Sequence, residues 1–185
     1  DDPHWWQDPR RAETAVTAIG DALAKADPGG ASAYRANAQR TVRRLRALDA
    51  AVLRCVARIP EAERTLVTPH DALGYSARRY GLRVVGTVIP SLSTQAQASA
   101  GDLAELVDTI RREHVKAIFA ESSVNASVED AIAQETGARV GRPLWADSLG
   151  PAGSGGATYE GSIRSNTLAI VDGLTGGAKS CSFPR

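Results

Sequence analysis

"TLVTPHDALGYSARRYGLRVVGTVI", residues Thr65–Ile89, sets two short apolar runs on either side of a helical segment. Thr65–Thr68 is a short apolar and β-branched run and reads as a strand. Asp71–Gly81 reads as a short helix closed by Gly81. Leu82–Ile89 reads as a second strand. Two strands joined through a helix make a βαβ unit, and such units build parallel sheets.

The pattern continues downstream. Ser99–His114 is expected to be a helix with its cap at Ser99 or Gly101, and Val115–Glu121 a third strand. Asn125–Gly137 reads as a helix closed by Gly137, and Ala138–Leu144 as a fourth strand. A glycine-rich loop, Asp147–Tyr159, leads to a last helix from about Tyr159 to Leu174. Upstream, Asp8-Pro9 reads as an N-cap with proline at the first helical position, opening a helix to about Lys25. "DPGG" (Asp27–Gly30) breaks it. Ala31–Ile59 then carries Tyr34, Ala38, Val42, Leu45, Leu48, Val52, Cys55 and Ile59 at three-and-four spacing, one apolar stripe about seven turns long. Pro60 stops it. The expected class is α/β: a four-stranded, mostly parallel sheet with helices on both faces, preceded by a long helix.

Composition narrows the function. The 185 residues suffice for one full domain and a second partial unit. Lys and Arg number 22 against 21 Asp and Glu, so neither a nucleic-acid groove nor a polybasic membrane patch is expected. The one basic run, Arg40–Arg54, has apolar residues at helical spacing and reads as a solvated helix face. No segment reaches the roughly 18 apolar residues that span a bilayer. The chain starts at Asp1 without a signal peptide and reads as processed or truncated. Cys55 and Cys181 allow one pairing. They are either two inert thiols or one long-range disulfide in an oxidising compartment.

Open α/β sheets bind ligands beyond the carboxyl ends of their strands. His70 and Asp71 follow the first strand, Glu121 ends the third, and Asp147 follows the fourth. His4 lies in a separate segment between Pro3 and Trp5. The blander roles are a satisfied loop histidine for His70, a helix cap for Asp71 and an Asx turn for Asp147. His114 merely ends a helix. Trp5, Trp6 and Trp145 read as core or lid packing. Two imidazoles and a carboxylate suit zinc, and manganese more weakly. Zinc usually takes four ligands, so three leave an open catalytic position or a missing ligand.

Several stretches resemble one family in the family's own order: "DPHWWQDP" (Asp2–Pro9), "HDALGYSARRYGL" (His70–Leu82), Leu92–Glu121 and Trp145–Leu174. The chain is similar to the zinc/manganese ABC-transporter solute-binding proteins, the cluster A-I or cluster 9 metal receptors. The resemblance implies a C-terminal part only, with the N-terminal lobe missing. Residues 1–30 would be a remnant of that lobe, 31–59 the long linking backbone helix, and 60–185 the C-terminal α/β metal-binding lobe. It implies metal ligands at His4, His70 and Asp147, with a fourth, a histidine, upstream of Asp1. Manganese-binding members usually carry Glu where this chain has His70, which favours zinc. Glu121 and Asp71 are read as carboxylates beside the ligands, where they would orient an imidazole. Ser76 and Gln97-Ala98 depart from the family pattern.

The implied function is high-affinity capture of extracytoplasmic zinc and its delivery to an ABC permease, without enzymatic chemistry. The protein would be periplasmic or lipid-anchored, and a disulfide would tie Cys55 to the tail at Cys181. With a lobe missing, the stripe around Tyr34 and Ala38 would be exposed and drive dimerisation. Two rival readings remain. One is a zinc hydrolase using the open position, with Glu121 or Asp71 as base. The other is a metal-free adhesion or structural module on the same fold. A dinucleotide site is weaker, because the glycine loop follows the last strand and no GxGxxG opens a helix.

Overall fold

A computed structural model describes residues 1–92, 98–122 and 127–183. Among them, four strands form one parallel sheet in the order β2-β1-β3-β4. The strands are β1 (Thr65–Thr68), β2 (Arg83–Thr87), β3 (Ala117–Glu121) and β4 (Arg139–Leu144). Helices α1 (Pro9–Ala26) and α2 (Ala31–Val56) precede the sheet. Between and after the strands lie α3 (Gly74–Tyr80), α4 (Ala100–Arg112), α5 (Ser127–Thr136) and α6 (Tyr159–Thr175). The chain moves from β1 out to β2, then returns to place β3 on the other side of β1. That reversal opens a crevice at the carboxyl ends of β1 and β3.

Alternation along the strands gives each face its own core. Leu66, Ala117, Phe119 and Leu144 face one way and pack on Leu48, Val52, Cys55 and Val56 of α2 and on the apolar side of α6. Val67 and Ile118 face the other way, onto Leu106, Val107 and Ile110 of α4 and Ile132 and Ala133 of α5. All residues of β1 and β3 are buried. The edge strand β4 instead exposes Arg139, Arg142 and Pro143, residues that discourage pairing with another sheet. Phe119 fits because its neighbours have no side chain. A Cβ on Gly173 would lie 2.8 Å from its ring, and one on Gly141 would lie 2.4 Å away.

Element types follow the sequence reading, and the boundaries shift for local reasons. α3 begins at Gly74, three residues late, because the Asp71 amide donates to the Ser91 carbonyl and the Ala72 amide to the His70 carbonyl. Asp71 is exposed and caps nothing; the N-cap position of α3 is Leu73. α2 ends at Val56, and tighter turns carry the stripe on to Ile59, which is buried. α4 starts as expected, with a reciprocal capping box between Ser99 and Asp102. The expected start of α5 at Asn125 and the departure at Gln97 lie outside the described residues.

The stripe of α2 is not bare where the sequence left it bare. α1 folds back along it, so close that a Cβ on Gly20 would sit 2.7 Å from the Ala38 Cβ. The Tyr34 hydroxyl donates to Asp27 Oδ2 at 2.9 Å, and Arg46 Nε donates to Glu13 Oε2 at 2.9 Å. The dimerisation expected from an exposed Tyr34–Ala38 surface therefore has no support here. Asp49 of α2 accepts from Arg79 Nε and Nη2 and from the Tyr80 hydroxyl, which fixes α3 against α2. Cys55 and Cys181 form a disulfide with Cα atoms 5.5 Å apart, linking positions separated by 126 residues. It holds the tail across α2, where Phe183 packs onto the core.

Candidate metal centre

The crevice at the reversal holds His4, His70 and Asp147, with one donor atom from each within 4.8 Å of the others. His70 enters from the turn after β1 and is fully buried. Asp147 follows β4, and its side chain is 35% exposed, the open side of the group. Its two oxygens divide between the histidines: Oδ1 lies 3.3 Å from His4 Nε2 and Oδ2 lies 3.2 Å from His70 Nε2. The imidazole rings stand edge to face with centroids 5.4 Å apart.

His4 reaches the group because the first residues are sewn to the loop after β4. Trp6 Nε1 donates to the Ala146 carbonyl at 2.9 Å, and Gln7 Nε2 donates to the same oxygen at 2.8 Å. The Tyr159 hydroxyl of α6 donates to the Trp6 carbonyl at 2.8 Å. Asn166 of α6 completes the loop: Oδ1 accepts from the Trp145 amide and Nδ2 donates to the Trp145 carbonyl, both at 2.8 Å. The glycine loop then wraps Trp145, whose ring would lie within 3.0 Å of a Cβ on Gly150 and 2.5 Å of one on Gly156. Trp145 is thus packing for the loop, as the sequence reading had it.

The ring nitrogens have distinct surroundings. Asp2 Oδ1 accepts from the His4 backbone amide at 2.9 Å and lies 2.7 Å from His4 Nδ1. Asp2 therefore holds the proton on Nδ1 and leaves the Nε2 lone pair facing the crevice. Among the described residues neither nitrogen of His70 has a hydrogen-bond partner, although Nε2 lies within ion-pair distance of Asp147. The distance is right for a hydrogen bond and the direction is not, which is what two donors aimed at a common third point produce. Around a tetrahedral zinc with bonds of about 2.0–2.1 Å, donor atoms sit about 3.3 Å apart. The two histidine–aspartate distances match that spacing, and two imidazoles with a carboxylate, all within 4.8 Å, are a donor set that fits such an ion.

Glu121 ends β3, is 1% exposed, and accepts from the Ala146 amide at 3.1 Å through Oε1. Burial pushes its carboxyl up to about 7, reinforced by the charge of Asp147 and opposed by the backbone amides of Ala146 and Asp147. It is not one of the grouped donors. Asp71, also singled out from sequence, points to solvent and stays outside the group. His114 is exposed at the end of α4, away from the centre. The sequence reading missed Asp2, Gln7 and Asn166. Asp2 had a signal, a carboxylate two residues before the histidine in "DPH". Gln7 and Asn166 had none, because their partners lie 138 and 21 residues away.

Comparison with known proteins gives this geometry a family. The family described as zinc-uptake complex component A, periplasmic (ZnuA), matches residues 1–173. This chain belongs to the ZnuA family. Its relatives include the manganese-binding lipoprotein MntA of Bacillus subtilis (strain 168), 38% identical over 94% of this chain and 58% of MntA. Among solved structures, the periplasmic zinc-binding protein TroA of Treponema pallidum superposes with a TM-score of 0.86. It is 35% identical over 94% of this chain and 64% of that chain. The laminin-binding protein Lmb of Streptococcus agalactiae, described as bifunctional with adhesin and metal-transporting activity, gives a TM-score of 0.83. Its identity is 31%, over 94% of this chain and 65% of that chain.

These matches correct one expectation. The chain was read as only a C-terminal part of the family pattern, a C-terminal lobe with the N-terminal lobe missing. ZnuA-family sequence instead runs from residue 1 to residue 173, and the relatives align over 94% of the chain. The physical counterpart is the stitching of residues 2–7 to the β4 loop and of α1 to α2, which makes the first helices part of the same body. The chain spans 58% of the length of MntA.

Proposed function

We propose that this protein captures a divalent metal ion, zinc in preference to manganese, outside the cytoplasmic membrane and delivers it to an ABC permease. His4, His70 and Asp147 are the proposed ligands. One observation carries the reading: two buried imidazoles converge on one carboxylate at 3.3 and 3.2 Å, while among the described residues neither ring nitrogen of His70 has a hydrogen-bond partner. A buried polar atom without a partner is costly, and a bound cation would remove that cost. The names of the family and of TroA and MntA, which speak of zinc, manganese, the periplasm and a lipoprotein, support the cargo and the compartment. The disulfide suits an oxidising compartment.

Zinc is preferred over manganese because two imidazoles to one carboxylate is a donor set that suits zinc, while manganese favours oxygen. Capture and release need no broken bond. Asp147, the one partly exposed donor, is the natural point for a metal to enter and leave. A hydrolase would need a base beside the metal. Asp71 is exposed and apart, and one oxygen of Glu121 is engaged by the Ala146 amide.

The test is zinc binding by calorimetry on the wild type and on His70→Ala, with elemental analysis of the purified protein. One zinc per chain, weakened at least 100-fold by His70→Ala, is expected. Equal affinity in both proteins would remove His70 from the site and the proposal with it.

A further inference from the structure

Glu121 raises a separate question. It is a carboxylate 1% exposed at the end of β3, it lies outside the donor group, and its Oε2 has no hydrogen-bond partner among the described residues. Burying such a group is costly unless it is hydrogen-bonded or paired. The local backbone supplies one such bond. The β3–β4 register slips between Phe119 and Glu121, so that Glu121 stands opposite Leu144. A slip of this kind re-aims the side chains at the end of a strand. Ser122, the next residue, fastens the Leu144 carbonyl with both its amide (2.9 Å) and its hydroxyl (2.8 Å). Asn166 holds both backbone groups of Trp145. Trp6 and Gln7 hold the carbonyl of Ala146. One backbone group in this run then remains, the Ala146 amide, and Glu121 Oε1 takes it at 3.1 Å. The next residue is Asp147.

We propose that Glu121 is a positioning residue: by accepting from the Ala146 amide it fixes the backbone that aims the Asp147 carboxylate at the two histidines. Side chains from three parts of the chain thus clamp residues 144–146, and Glu121 is the clamp adjacent to the ligand. The role belongs to Oε1. Among the described residues Oε2 has no hydrogen-bond partner of good geometry, so replacing it with an amide nitrogen leaves the Ala146 bond in place, whereas shortening the side chain by one methylene withdraws the acceptor from reach. The consequence for affinity rests on the metal-capture reading; the clamp itself does not.

Two variants separate reach from charge. Glu121→Gln keeps the acceptor at full reach without the charge, and Glu121→Asp keeps the charge without the reach. Two readouts are needed. The first is hydrogen exchange of the Ala146 amide in the metal-free protein. It should stay protected in the wild type and Glu121→Gln and exchange at least tenfold faster in Glu121→Asp. The second is zinc affinity by competition titration. It should fall about 10- to 100-fold in Glu121→Asp and be rescued to within about threefold by Glu121→Gln. In an Asp147→Ala background the Asp variant should have no further effect, because Glu121 acts through Asp147. The reverse order, Glu121→Asp like wild type and Glu121→Gln weakened, would overturn the proposal in favour of a purely electrostatic role. So would an undiminished loss in the Asp147→Ala background. If the wild type took up no zinc, the metal reading would fall. The exchange experiment would still decide whether Glu121 holds the loop.

Discussion

At the scale of single residues, Asp2 decides which nitrogen His4 presents. Its Oδ1 accepts from both the backbone amide and Nδ1, so the ring is fixed in one tautomer and one orientation. Partners of this kind typically contribute 10- to 100-fold to metal affinity. Asp2→Ala should therefore weaken zinc binding by about that factor, measured by calorimetry, while the melting temperature of the metal-free protein changes little. Unchanged affinity would mean that Trp6 packing alone orients the ring. His4, His70, Glu121 and Asp147 were legible in the sequence because three of them follow or end apolar runs, where open parallel sheets expose their ligands. Asp2 was not legible in this way, since a carboxylate two residues before a histidine is equally a turn or cap residue. Asp71 was over-read: adjacency to His70 in sequence is not adjacency in space, and the turn after His70 sends its side chain to solvent.

At the scale of elements, the two faces of β3 set what its neighbours are allowed to be. Phe119 lies against Gly141 of β4 and Gly173 of α6, and a methyl group at Gly173 would come within 2.8 Å of the ring. Gly173→Ala should destabilise the fold by about 1–3 kcal/mol through overpacking, measured by urea denaturation. A smaller Phe119 partner, in the double variant Phe119→Leu with Gly173→Ala, should recover part of that loss. No recovery would show that the clash is not with Phe119. The strands and helices were legible from periodicity, since alternating short apolar runs with helical patterns leave few arrangements other than a parallel sheet. The boundaries were less so. α3 lost its first three residues to backbone bonds made by Asp71 and Ala72, and such bonds leave no mark on composition. The packing of α1 on α2 was also hidden, because Gly20 reads as a weak point in a helix until Ala38 is seen against it.

At the scale of the whole molecule, one disulfide closes a loop of 126 residues between the long helix and the tail. Chain-entropy arguments give such a closure about 5 kcal/mol. Cys181→Ala should lower the unfolding free energy by roughly that amount, and reductant should do the same to the wild type and nothing further to the variant. The sequence left two readings of this pair open, because spacing alone does not bring Cys55 and Cys181 within reach. The relation of this chain to the family pattern was harder to read: family sequence runs from residue 1 to residue 173, and the segment that carries His4 is tied to the β4 loop by hydrogen bonds from Trp6 and Gln7, whose partners lie far away in sequence. Two histidines and one aspartate from three distant parts of the chain are proposed to hold one metal ion. X-ray absorption on the zinc-loaded protein is the decisive measurement. Zinc bound by two imidazole nitrogens at about 2.0–2.1 Å together with oxygen donors is expected, with loss of one imidazole in His4→Ala. A zinc environment of oxygen alone, or one unchanged by His4→Ala, would contradict it.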